Sequence, residues 1–217
     1  TNIVFAGAFG WGIYKSTDGG SSWTNLRNGL ASTYVRSVIA VSTDTVFAGT
    51  NDGIFKTYNG GLNWSLSLST LNSVRDIACD TKTNYLYAAT YGSGMYKSTN
   101  RGISWSSIVV TDNVSAKTMT HLRSVAVFGR DSLYVGGSIS DVSTGGALFK
   151  STTGGTNWVQ VQRSIGIRSS VKSIAISPST PKTSLIIGTA SKGVYKSTNA
   201  GTNWTEINGA TTPNPIN

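Results

Sequence analysis

Four basic residues, Arg36, Arg75, Arg123 and Lys172, each stand second in an apolar, β-forming run, at equivalent points of a recurring pattern. Gathered on one rim they would form an anion-binding collar. The competing role is bonding to backbone carbonyls of a neighbouring repeat, or to a local acid such as Asp76. Trp11, Tyr34 and Tyr91 lie in Gly- and Ser-containing loops, where aromatic rings either stack on sugars or peptides or pack over adjoining repeats. Asp52, Asp76, Asp112 and Asp141 supply carboxylates, and two of them facing one another across roughly 5–10 Å would suit glycoside hydrolysis. The rest of the catalytic inventory is thin. Glu206 is the only glutamate and falls in a terminal strand, and His121 is the only histidine, with no Ser or Cys nucleophile motif around it. No phosphate loop, metal-ligand spacing or dinucleotide fingerprint occurs, so the expectation is a chain without catalysis, cofactor or bound metal.

What positions these residues is a signature that occurs five times, from Ile13 to Trp23, Ile54 to Trp64, Met95 to Trp105, Leu148 to Trp158 and Val194 to Trp204. Each copy reads apolar, aromatic, Lys, Ser or Thr, any residue, a polar turn with Gly, then Trp. The tryptophans follow one another at steps of 41, 41, 53 and 46 residues, a period that marks a repeat architecture. Alternation around Ile13-Tyr14-Lys15 and its equivalents predicts a strand. Asp18, Asn59, Asn100, Thr153 and Asn199 are short polar side chains that can bond back to nearby N–H groups and fix a tight turn. Trp23, Trp64, Trp105, Trp158 and Trp204 then open a return strand, and all five are expected to be buried against neighbouring sheets. The signature lysines are expected to project as solubilising charges that protect strand edges.

The signature resembles the Asp-box, or BNR, repeat, S-x-D-x-G-x-x-W, of sialidase-, sortilin- and xyloglucanase-type β-propellers. Ser16, Asp18, Gly20 and Trp23 match it in full, and the other copies keep Ser or Thr, Gly and Trp while replacing Asp by Asn or Thr. The resemblance implies a propeller fold over nearly the whole chain, with the box a structural turn away from the binding face. The arginine cluster and tyrosine–glutamate pair that a sialidase requires find no match around Glu206. The xyloglucanase-type cleft lies between two propellers, and this chain has one.

Ahead of each signature hairpin run two more strands, such as Val35 to Val41 and Thr45 to Gly49, so each unit holds four antiparallel strands, a propeller blade. The expected fold is all-β, a single five-bladed propeller over 1–217, with blades near 1–30, 31–70, 71–110, 111–165 and 166–208. The first unit opens directly on a second strand, Ile3 to Gly7, and lacks a first. The segment Thr211 to Ile216 is expected to fill that gap, because Pro213 and Pro215 lack donors on the same strand edge. The competing arrangement leaves the gap open, or fills it with a strand from another subunit. The long step between Trp105 and Trp158 places insertions near Val110 to His121 and Ser138 to Gly146, both on the face shared by the second-to-third and inter-blade loops. Clustered insertions mark that face as the binding side.

Only 12% of the residues are charged, yet the net charge is +9, which favours an acidic partner through long-range attraction. No nucleic-acid motif accompanies the charge, and no apolar run is long enough for a membrane-spanning helix. The lone Cys79 excludes an internal disulfide. The chain opens without Met and without a signal peptide, so a processed or trimmed start is expected. Together these features imply a secreted or cell-surface module that recognises a glycan, an acidic polymer or a protein. The alternatives are a glycoside hydrolase using face carboxylates, and a self-assembling subunit of an extracellular structure.

Overall fold

In this computed structural model, residues 2–113, 116, 118–129, 131–138, 146–161, 169–177 and 184–208 are described. Among them the regular elements are nineteen strands in five sheets, with no helix. Sheet one contains β1 (Val4–Ala8), β2 (Gly12–Ser16) and β3 (Thr24–Asn25). Sheet two contains β4 (Val35–Ala40), β5 (Val46–Thr50), β6 (Gly53–Thr57) and β7 (Ser65–Ser69). Sheet three is built from β8 (Val74–Asp80), β9 (Tyr85–Thr90), β10 (Met95–Ser98) and β11 (Ser106–Ile108). Sheet four takes β12 (His121–Gly129), β13 (Ser132–Ser138), β14 (Gly146–Ser151) and β15 (Val159–Gln160). Sheet five takes β16 (Val171–Ile176), β17 (Leu185–Thr189), β18 (Val194–Ser197) and β19 (Thr205–Glu206). Strands follow chain order within every sheet, and sheet one has three where the others have four. The expected closing segment, Thr211 to Ile216, lies outside the described residues.

The chain forms two compact units, Thr1–Ser106 and Ser107–Asn217. In the first, β5 is buried along its whole length because its two faces serve different neighbours. Val46 and Ala48 join Ile13, Leu30 and Trp64 in a core shared with sheet one. Phe47, one residue out of phase, joins Val74, Ile77 and Leu86 of sheet three. Period-two alternation thus feeds two cores from one strand. In the second unit Tyr134 and Leu148 of sheet four pack with Val171, Leu185, Ile187 and Trp204 of sheet five. Close approach of sheets requires glycine on the second strand. A Cβ on Gly49 would lie 2.8 Å from a Val74 methyl, and one on Gly136 would lie 2.5 Å from a Val171 methyl.

The signature turn is held by one hydroxyl and one short polar side chain. Ser16 Oγ accepts the Gly20 N–H at 2.8 Å and donates to Asp18 Oδ1 at 2.7 Å, while Asp18 Oδ1 accepts the Ser22 N–H at 2.9 Å. Thr57 with Asn59, Ser98 with Asn100, Ser151 with Thr153 and Ser197 with Asn199 repeat the arrangement. The hydroxyl and N–H of Ser22, with the Ser16 hydroxyl, hold the Asp18 carboxyl well below the usual carboxylate range. A depressed acid stabilises the fold above its unfolded pKa, so this contribution is present above about pH 4 and is lost progressively below it. Asp18→Asn, matching Asn59 and Asn100, is expected to remove that acid sensitivity; urea midpoints at about pH 3 and pH 7 check it.

Two expectations need correction. Trp158, Trp64 and Trp204 are buried, but Trp105 is only half-buried and Trp23 is 43% exposed. Trp64 and Trp105 are covered by the sheet that precedes theirs in the chain. The signature lysines are not simply solubilising. Lys15 Nζ donates to Gly60 O at 3.1 Å and Lys56 Nζ to Gly102 O at 3.0 Å, so each ties its sheet to the signature turn of the next. Their ammonium groups also sit over the Phe5 and Tyr58 rings, 5.4 and 5.3 Å from the centroids. Cys79 is a free, half-buried thiol whose pKa is raised by burial and then by neighbouring Asp80, consistent with a packing role.

Candidate functional site

At one end of the sheets the second-to-third loops meet the inter-sheet loops. Gly10 and Gly12 N–H both donate to Thr33 O, at 3.1 and 3.0 Å, Tyr91 N–H to Ser73 O at 3.0 Å, and Ala190 N–H to Ser170 O at 2.9 Å. Signature turns occupy the other end of each sheet, because consecutive antiparallel turns alternate ends.

The four basic residues share a local cause. The pairing register slips between Val35 and Ser37, Val74 and Asp76, Leu122 and Ser124, and Val171 and Ser173. Arg36, Arg75, Arg123 and Lys172 are therefore the extra residues of four β-bulges, a device that re-aims a side chain and bends the strand. The residue after the bulge locks adjacent sheets. Ser37 Oγ accepts the Ile77 N–H at 3.1 Å, and Ser124 Oγ accepts the Ile174 N–H at 3.1 Å. Arg36 and Arg75 belong to the first unit, Arg123 and Lys172 to the second.

In the first unit the arginines are dressed by aromatics. The Arg36 guanidinium lies 4.8 Å from the Phe9 ring centroid and its Nε donates to Asn51 Oδ1 at 2.7 Å. Phe9 meets Tyr34 edge to face at 4.9 Å, and their backbones form an isolated bridge. Trp11, in the same turn as Phe9, is 66% exposed, with Phe9 at 58% and Tyr34 at 45%. Arg75 stacks on half-buried Tyr91 at 4.8 Å. The structure thus brings Tyr34, Arg36 and the turn of Trp11 together and pairs Arg75 with Tyr91. Phe9 and Asn51 escape a reading of the sequence alone. Phe9 carries a signal in its place beside Gly10 and Trp11, whereas Asn51 has none.

The carboxylates do other work. Asp76 Oδ1 is 3.2 Å from the Ser37 hydroxyl and accepts its neighbour's N–H. Asp112, expected near the loop face, is fully buried beside the outer edge of sheet four, where it forms a parallel bridge with Trp158 and accepts the Gln160 N–H. The inter-sheet segment passes the signature tryptophan before it reaches the loop end, so its acid falls inside the packing. Asp52 is exposed in the β5–β6 turn, Glu206 is exposed on β19, and Asp141 and most of the second insertion lie outside the described residues. His121 opens β12 with the Thr120 hydroxyl 3.1 Å from its Nδ1. Among the described residues no cluster of His, Cys, Asp or Glu is placed to hold a metal ion.

Consecutive antiparallel sheets of this kind define a β-propeller domain. The chain belongs to the DUF6242 β-propeller domain family, whose family model matches residues 4–216. No curated protein matches it. Among solved structures, it resembles an ancestral GH74 enzyme with a TM-score of 0.79 and 24% identity, covering 99% of this chain and 30% of the enzyme. A GH74 xyloglucanase from Xanthomonas campestris gives 0.71 and 16%, over 100% of this chain and 37% of that one. YCF48 bound to D1 peptide gives 0.60 and 16%, over 88% and 59%. The chain therefore spans less than two thirds of each neighbour's length, and the likeness at these identities concerns the fold.

Proposed function

We propose that this chain is a non-catalytic recognition module, secreted or displayed at a cell surface, whose propeller is built on Asp-box turns. Its ligand is a glycan, an acidic polymer or a polypeptide, taken up at the loop face. In the first unit Trp11 and Tyr34, with Phe9, provide stacking surface, and Arg36 and Arg75, the latter on Tyr91, provide cationic donors. Arg123 and Lys172 hold the corresponding bulge positions in the second unit.

The observation that carries this reading is the exposed aromatic group Phe9, Trp11 and Tyr34 around an arginine whose orientation is fixed by Asn51. Large exposed rings are costly to leave in water and are concentrated at binding sites. A guanidinium held from two sides loses little freedom on meeting a carboxylate or sulfate. The D1 peptide bound by YCF48, a chain of similar fold, supports the polypeptide option. A hydrolytic role, the alternative that the GH74 neighbours raise, gains no support from Asp76, which is engaged with Ser37, or from Asp112, which is buried in packing.

Binding to an array of neutral and acidic glycans, measured beside hydrolysis of the same glycans, tests the reading. Arg36→Ala and Arg75→Ala are each expected to weaken an anionic ligand about tenfold or more, the scale of a charge-assisted hydrogen bond. Lys82→Ala, an exposed charge in the β8–β9 turn, is expected to leave affinity unchanged. Affinity should fall between about 0.05 and 0.2 M salt. Turnover of any bound glycan would instead assign an enzyme, and equal losses from all three variants would mean diffuse charge.

A further inference from the structure

The turn end of the first unit carries a feature the loop face does not explain. A cavity of about 320 Å³ opens between sheets two and three, with buried Phe47 and Leu86 in its lining. Tyr58, at the signature turn of sheet two, lines it too, with Val41 and Ser42 of the preceding turn and Arg101 of the signature turn in sheet three. This volume falls at the lower end of small-molecule sites.

Arg101 stands where the repeat prefers glycine. The equivalent residues are Gly19, Gly60 and Gly154, at φ +74, +66 and +63, and Ala200, at φ +56. Arg101 adopts φ +56, a left-handed conformation that a Cβ disfavours. Strain of this kind persists where surrounding structure enforces it, and it gathers at functional sites. The strained residue lines the cavity, and its guanidinium makes no hydrogen bond or ion pair with a described residue. Tyr58 Oη donates to Arg101 O at 3.4 Å, which holds the aromatic wall against the Arg101 main chain. Lys56 adds a second positive charge 5.3 Å from the Tyr58 ring centroid. Asp44, in the turn before β5, lies over Gly60, and neither it nor Lys56 is part of the lining.

We propose that this cavity is a second binding site, for a small carboxylate with an apolar or aromatic body. The body rests on Phe47, Leu86 and Tyr58, and the carboxylate meets Arg101. The site is independent of the loop face, so either can fail without the other.

Phenylacetate and its neutral isostere phenylacetamide are suitable probes, with affinities read by ligand-detected NMR titration. The wild-type protein is expected to bind phenylacetate at least tenfold more tightly than the amide. Arg101→Gly should abolish that preference while raising the thermal midpoint by about 2–4 °C, because the backbone strain is relieved. Ala200→Gly should raise the midpoint in the same sense and keep the preference. Equal affinities for the two probes in the wild type, binding of neither, or a preference that survives Arg101→Gly would each overturn the proposal.

Discussion

Replacing Trp64 by alanine is expected to lower the unfolding free energy by about 3–5 kcal/mol, the range for deleting a large buried aromatic. Trp64 is 4% exposed and joins Ile13 and Leu30 of one repeat to Val46 and Phe55 of the next. Its indole N–H has no hydrogen-bond partner among the described residues, so the contribution is packing and burial. Alanine would leave a void between two sheets whose backbones are themselves tied, since the Trp64 N–H donates to Asn28 O at 2.8 Å and resists collapse. Trp23→Ala is the internal control. That ring is 43% exposed and donates to Gly20 O of its own turn at 2.9 Å, so its loss should cost a small fraction of the Trp64 value. Urea unfolding of the two variants measures the difference. An unchanged midpoint for Trp64→Ala would refute the idea that signature tryptophans lock adjacent sheets.

The contrast between Trp64 and Trp23 also shows what a single sequence can and cannot convey. The signature turn is legible because its bonds are local: Ser16 to Gly20 and Asp18 to Ser22 each span four residues. The burial of the following tryptophan is not, because the cover for Trp64 and Trp105 comes from another sheet, the one before theirs in the chain. The duty of the signature lysines is hidden for the same reason. Lys15 and Lys56 reach carbonyls 45 and 46 residues away, in the next turn, and only the recurrence of the residue hints at a structural role. The aligned basic positions are visible, but their cause is not, since a bulge adds one residue without interrupting a strand such as Val35–Ala40. Asp112 departs from its expected place because loop membership does not say where along the loop the chain stops packing. Phe9 hides beside Trp11, although both stand in one glycine-bounded turn.

The junction that Trp64 fills also makes Gly29 a sensitive backbone position of the first unit. Gly29 has φ +79, and a Cβ built on it would lie 2.1 Å from the Trp64 carbonyl oxygen. The left-handed conformation alone costs an L residue about 1–2 kcal/mol. Pushing a main-chain carbonyl aside adds about 1–3 kcal/mol, because the oxygen belongs to the sheet beside it and cannot rotate away like a side chain. Gly29→Ala is therefore expected to destabilise by about 3 kcal/mol. Gly19→Ala separates the two causes. Gly19 has φ +74, yet a Cβ added there would meet nothing within 4 Å, so that variant reports conformational cost alone. The excess loss at position 29 over position 19, taken from urea midpoints, measures the close approach of sheets one and two. Combined with Trp64→Ala, Gly29→Ala should lose less than the sum of the separate effects, because a junction already opened by one change has less packing left to lose. Equal losses at positions 19 and 29, or strict additivity with Trp64→Ala, would show that the two sheets do not depend on this contact.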